Sequence, residues 1–183
     1  MGALRVEDAY PRYSYEDYKH WEDRWELIDG IAYAMAPMPM LKHQKITNKI
    51  GSQLDEIFKD CKKCQVLQPV DWKIDEHTIV QPDNLVICHK PMNDYYLTKA
   101  PEIVFEVLSK STAKKDLGVK FELYEKEGVK FYFIINPDDS VAKVYRLKDG
   151  RYIKVGDFSD EVFEFSIDKC DKQLRFDFSR IWE

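Results

Sequence analysis

The stretch PEIVFEVL (101–108) is the most strand-like piece of the chain, with Ile, Val, Phe and Leu crowded around the single acid Glu106. Reading outward from it, Ser111-Thr112 caps a predicted helix that runs to about Lys126, with Gly128 as its stop. KFYFIINP (130–137) follows as a second buried strand, ended by Pro137. On the other side, 66–74 and 78–88 read as strands. Before them Ile46, Ile50, Leu54 and Ile57 recur at helical spacing, up to the segment CKKCQ (61–65). WELIDGIAYAM (25–35) reads as a hairpin turning at Asp29-Gly30, broken afterwards by PMPM (37–40), and Ser14 opens a short helix reaching His20. VAKVYRLKDGRYIKV (141–155) is a second hairpin, turning at Asp149-Gly150. The apolar residues beyond it, from Val162 to Trp182, are expected to finish the sheet and close it with a C-terminal flap. This order gives an α/β plan: a central mixed β-sheet flanked by helices, with hairpins towards both ends.

Length and composition narrow the function. The 183 residues suit a single domain over 1–183, and 44% hydrophobic with 33% charged residues excludes a disordered or low-complexity chain. A net charge of -5 argues against holding nucleic acid through bulk positive charge, while leaving room for a local basic groove. No apolar run approaches the ~20 residues needed to cross a bilayer, and MGALRVEDAYPR has no apolar signal core, so a cytoplasmic protein is expected. Of the four cysteines, Cys61 and Cys64 form a C-x-x-C, but a zinc site needs a second ligand pair, and adjacent Cys88 and His89 are poorly spaced to supply it. Reduced thiols are expected, with a zinc or redox protein as a rival reading.

Glu106 decides where chemistry could lie. On a strand it shares a face with Val104 and Leu108, and an ionised carboxylate there is costly unless a cation stands close by or the strand end reaches water. Asp83 follows Pro82, which cannot donate to a sheet ladder and so marks a strand edge or distortion. If the segments carrying Asp83 and Glu106 pair, the two carboxylates converge on one point and make a hard oxygen site suited to Mg²⁺ or Mn²⁺; otherwise Asp83 is a plain turn residue. Lys120 lies on the rim of the helix face defined by Leu117, Phe121 and Tyr124, and Lys114 lies on the opposite rim, so geometry alone does not choose between them. His43 falls on the apolar stripe of its helix, as a core histidine or as a functional one, and Glu26 sits beside the first hairpin turn.

Together these residues resemble the Uma2 family of bacterial proteins, within the PD-(D/E)XK restriction-endonuclease-like superfamily. The likeness runs from about Ser14 to Trp182 through WELIDG (25–30), a Met-Pro segment followed by His43, VQPDNLVI (80–87), APEIVFEVLSKST (100–112), then Asp116, Lys120, Tyr124 and the strand ending IINP. The resemblance implies a restriction-endonuclease-like fold, with Pro82-Asp83 as the PD motif and Glu106 as the acid of the second motif. The usual lysine position is Leu108 here, so the lysine role passes to Lys120 on the next helix. It further implies an endonuclease acting on phosphodiester bonds, with DNA the expected substrate. Asp83, Glu106 and the Val107 carbonyl would hold Mg²⁺ or Mn²⁺, and Glu26 and His43 would complete the site. Lys42, Lys45, Lys49, Lys110, Lys114 and Lys115 would give it a basic rim. The rival is an inactive nuclease-fold module that binds nucleic acid or a protein. A homodimer is expected for cutting two strands, with Phe158, Phe163, Phe165 and Trp182 as a candidate dimer face.

Overall fold

A computed structural model describes residues 11–36, 40–110 and 112–182. The readings placed on the first ten residues, on Pro37 to Pro39 and on Ser111 as a cap therefore lie outside the described residues. In chain order the elements are α1 (Tyr15–Tyr18), β1 (Trp25–Ile28), β2 (Ile31–Ala34), α2 (Leu41–Phe58), β3 (Gln65–Leu67), β4 (Trp72–Asp75), β5 (Thr78–Val80) and β6 (Asn84–Ile87). They continue with β7 (Ile103–Val107), α3 (Ala113–Leu117), α4 (Val119–Glu127), β8 (Phe131–Asn136), β9 (Val141–Lys148), β10 (Arg151–Phe158), β11 (Val162–Ile167), β12 (Cys170–Asp177) and a 3-10 turn at Phe178–Arg180.

The central sheet is mixed, in the order β10-β9-β8-β7-β6-β3. Its one parallel pair is β7 with β8. A parallel neighbour needs a crossover, and α3 with α4 supply it. Side-chain alternation along β7 divides the core. Phe105 and Val107 point to the face covered by α2 and the β11–β12 hairpin, where Ile46, Ile50, Leu54, Phe163, Phe165 and Phe176 gather. Phe105 stacks on Phe133 of β8 with ring centroids 4.1 Å apart. Val104 points to the other face, among Trp72, Tyr124, Tyr132 and Ile134. By the same period of two, Glu106 belongs to that second face.

Several expectations need correction. Residues 66–74 and 78–88 are each divided between two sheets. β3 and β6 belong to the central sheet, whereas β4 and β5 join β1 and β2 in a separate four-stranded sheet. The break between β5 and β6 falls at Gln81-Pro82-Asp83, where proline removes the N–H a continuous ladder needs. The predicted helix up to Lys126 is two helices parted at Gly118, where a Cβ would come within 3.0 Å of the Lys114 carbonyl oxygen. Leu117 is consequently exposed rather than part of an apolar helix face. The C-terminal strands do not extend the central sheet but form their own hairpin packed on it. Phe163 and Phe165 are buried there, with Phe158 and Trp182 packed against them, so these aromatics are core and do not form a dimer face. The cysteines are not reduced thiols either: Cys61 is bonded to Cys170 and Cys64 to Cys88. The turn after α2 abuts both the end of β6 and the start of β12, a proximity that spacing along the chain does not reveal.

Candidate active site

At the C-terminal end of β7 a cavity of about 280 Å³ opens between the central sheet, the β1–β2 hairpin, the start of α2 and the α3–α4 pair. Glu26, His43, Asp83, Glu106, Val107 and Lys120 all line it. Each arrives there for a local reason. β6 and β7 pair antiparallel with Asn84 opposite Phe105, and one step along that register Asp83 stands across from Glu106. Freed from the ladder by Pro82, the Asp83 side chain turns back: its Oδ2 accepts the Val107 N–H at 2.8 Å. The same oxygen lies 3.2 Å from His43 Nε2, presented by the first turn of α2. Glu26 comes from β1, whose Leu27 is paired with Ile79 of β5, and its Oε1 accepts the Gln81 N–H at 2.8 Å. The strand break at 81–83 thus fastens Glu26 on one side and aims Asp83 on the other.

Lys120 is the hub. It is 1% exposed, reached by the start of α4 just past the Gly118 break. Its ammonium ion-pairs with Glu106, donates to Glu26 Oε1 at 2.9 Å and lies 3.5 Å from Asp116 Oδ1. Tyr124 O–H donates to Glu106 Oε1 at 2.7 Å. The Lys115 ammonium stands beside Glu26 Oε2. Apart from these ammonium contacts, Glu26 Oε2 and Asp116 Oδ1 are buried with no hydrogen-bond partner.

The four buried carboxyl groups are not served equally. Lys120 contacts Glu26, Glu106 and Asp116, Lys115 contacts Glu26, and His43 contacts Asp83. Burial works against the Glu26 anion, but Lys120 and Lys115 outweigh it and hold its carboxyl at about 2. Glu106 goes the other way: burial, with Asp116, Asp83 and Glu26 nearby, pushes its carboxyl well above the ordinary carboxylate range despite Lys120. Asp116 is raised too, chiefly by burial. Lys120 is held firmly protonated, as Glu106, Glu26 and Asp116 overcome its burial. Burial opposes the His43 cation, but contact with Asp83 and the Val107 carbonyl raises it above its usual value.

Of the two lysines left open by the sequence, Lys120 enters the cavity and Lys114 is exposed. Lys42 and Lys110 line the cavity with Lys115, and Lys45 lines an adjoining depression that shares Arg24, His43 and Asp83. Sequence reasoning gave no site role to Asp116 or Tyr124. One signal was available: Asp116 and Lys120 are four residues apart, the spacing at which an acid and a lysine meet on one helical face.

The family model Uma2, described as "Putative restriction endonuclease", matches residues 15–164. The chain belongs to the Uma2 family. Among solved structures, a protein from Anabaena variabilis ATCC 29413 described as a putative nuclease of DUF820 superposes with a TM-score of 0.73 at 18% identity. The match covers 92% of this chain and 97% of that one. At that identity the likeness speaks for the fold: a restriction-endonuclease-like α/β architecture shared by this Uma2 chain. No curated protein matches the sequence.

Proteins of this restriction-endonuclease-like class generally use divalent metal ions. With the cysteines closed on one another and Lys120 between the carboxylates, no group of three or more His, Cys, Asp or Glu among the described residues stands ready to hold an ion. The donor chemistry nevertheless fits one. The oxygens are hard, and a buried Asp116 oxygen, Oδ1, has no hydrogen-bond partner.

Proposed function

We propose that this Uma2 protein is a divalent-metal-dependent endonuclease that hydrolyses phosphodiester bonds, with DNA as its substrate and residues 1–183 acting as one domain. The convergence of Asp83, Glu106 and Lys120 in one cavity carries this reading, with Glu106 the least compensated of its buried carboxyls. Asp83, Glu106 and the Val107 carbonyl would hold Mg²⁺ or Mn²⁺. Bound there, such an ion would supply polarisation of a phosphodiester oxygen and acidification of water.

The chain's own groups do the rest. Lys120, kept protonated by Glu106 and Glu26, orients the attacking water and stabilises negative charge developing on the phosphoryl group. His43 fixes the Asp83 carboxylate from one side while the Val107 N–H fixes it from the other. Lys42, Lys110 and Arg24 at the cavity wall offer the local positive charge that a chain of net charge -5 needs to receive a phosphate backbone. Cutting both strands calls for two such cavities, so a homodimer belongs to this reading; because the C-terminal aromatics are core, its interface lies elsewhere.

Cleavage of supercoiled plasmid and of single-stranded DNA, with Mg²⁺ or Mn²⁺ and with chelator, tests the proposal on the wild type beside Asp83→Asn, Glu106→Gln and Lys120→Ala. Metal-dependent nicking lost in all three variants is expected, and activity that survives all three would reject the site. The second reading, an inactive module that binds nucleic acid, is favoured by Leu108 at the usual lysine position. Binding of DNA that is indifferent to metal and to Glu106→Gln, with no cleavage by the wild type, would establish it.

A further inference from the structure

Away from the cavity, the structure supplies the second ligand pair that the C-x-x-C motif lacked. We propose that Cys61, Cys64, Cys88 and Cys170, when reduced, form a tetrathiolate zinc site. Cys61 and Cys64 lie in one turn after α2, closed by the Cys64 N–H donating to the Cys61 carbonyl at 2.8 Å. Cys170 opens β12 with its Cα 5.4 Å from that of Cys61, and Cys88 follows β6 with its Cα 4.0 Å from that of Cys64. Two bonded pairs sharing one turn set the four cysteines around that turn. In a tetrahedral site with Zn–S of about 2.3 Å, sulfurs stand roughly 3.8 Å apart. Opening each pair from the ~2 Å of a disulfide to that spacing asks for side-chain rotation, with the three backbone segments already in place.

The surroundings suit a dianionic zinc–thiolate centre. Cys61, Cys88 and Cys170 are buried. The depression over Cys61 and Cys170 is lined by Lys62, Lys63, Lys169 and Lys172 against Asp60 and Asp171, a surplus of positive charge. Nearby cations of this kind favour thiolates. The cluster is also separate from the candidate active site. His43 lies in the first turn of α2, and the cysteines follow its last residue, Phe58, about 25 Å along the helix axis. Zinc here would pin the far end of the helix that delivers His43.

Reducing the two disulfides takes two molecules of dithiothreitol, each giving two electrons and two protons and closing to its cyclic disulfide. The four thiols formed release their protons as Zn²⁺ binds. The test starts from the full chain treated in this way, desalted without oxygen and given Co²⁺ or Zn²⁺. Expected are one zinc per chain retained through desalting, protection of all four thiols from a thiol-reactive disulfide reagent, and tetrahedral thiolate bands with cobalt. Cys88→Ser should abolish retention; because that variant could misfold, the cobalt spectrum of the unmutated chain stands as an independent readout. Asp83→Asn/Glu106→Gln should retain the zinc undiminished. Free reaction of the thiols in the presence of zinc, absence of cobalt–thiolate bands in the unmutated chain, or loss of zinc in Asp83→Asn/Glu106→Gln would each overturn the proposal.

Discussion

Replacing Lys120 by Met keeps most of the side-chain volume and removes the charge. In the folded protein this leaves Glu26, Glu106 and Asp116 around an apolar tip, with Lys115 as the remaining ammonium. Since Lys120 is 1% exposed, solvent cannot screen the loss. Removing one partner of a buried ion pair costs roughly 3–5 kcal/mol. For a chain of this size 1 kcal/mol moves Tm by about 2–4 °C, so the expected fall is about 6–20 °C. The fall should depend on pH in a definite direction. Burial already raises the Asp116 carboxyl, and loss of Lys120, which lowers it, raises it further. A carboxyl with a raised pKa in the folded state binds protons more tightly there than in the unfolded chain, so stability declines as pH rises through that folded value. The variant's deficit should therefore be larger at pH ~8 than at pH ~5.5. Thermal unfolding in excess chelator, followed by the fluorescence of the four tryptophans, measures both effects. A loss below about 1 kcal/mol, the range of exposed ion pairs, or a deficit that grows as the solution is acidified, would refute the buried-hub description.

Glu106→Gln should have the opposite sign: without metal it removes the least compensated charge while Lys120 keeps Glu26 and Asp116, so Tm in chelator should rise by a few degrees, for about 1 kcal/mol, even as cleavage is lost. Mg²⁺ at one hundred times its Kd should stabilise the wild type by about 2.7 kcal/mol and leave Glu106→Gln unmoved in thermal melts. Glu26, held at about 2 against the ordinary 4.5, contributes stability that is fully present above pH 4.5 and is lost as pH falls towards 2. Acid titration of unfolding should accordingly show a shallower acid limb for Glu26→Gln than for the wild type. Gly30 adopts φ +79° in the turn that carries Glu26 into place, so Gly30→Ala should cost about 1–2 kcal/mol, read from urea unfolding.

Much of this architecture was legible because period and punctuation are local. PEIVFEVL and FYFIIN read as buried strands, and Asp29-Gly30 and Asp149-Gly150, at φ 51°/79° and 51°/77°, as the turns they are. The convergence of Asp83 with Glu106 was legible too, given a paired register and a proline between. What failed was long-range. Pro69 and Pro82 mark a distortion in 66–74 and in 78–88, but the apolar pattern, alike on both sides of each, does not say that the two halves join different sheets. The Gly118 break was hidden because glycine is tolerated within helical patterns, and what demands it here is the Lys114 carbonyl close by in space. Cys170 meets Cys61 only because β12 folds back across α2, an event with no signature in local spacing.

The unequal treatment of two glutamates by one lysine shows which side of the site a cation would relieve. Glu26 and Glu106 are both buried and both touch Lys120. Glu26 adds the Gln81 N–H and a second ammonium, from Lys115, and its carboxyl is held far down. Glu106 adds the Tyr124 hydroxyl, which carries no formal charge, and its carboxyl is pushed up. The poorly compensated carboxyl therefore lies on the β7 side of Lys120, beside the Val107 carbonyl. A divalent ion would relieve repulsion there and nowhere else to the same degree. Moving the positive charge to the Glu26 side, for instance with Tyr33→Lys at the residue paired with Glu26 across the hairpin and lying under the Lys115 ammonium, should leave metal affinity intact, whereas Tyr124→Lys, which sets an ammonium beside Glu106, should abolish it. Isothermal titration with Mn²⁺ decides between them, and equal weakening by both substitutions would show that the cavity acts as one undivided pool of charge.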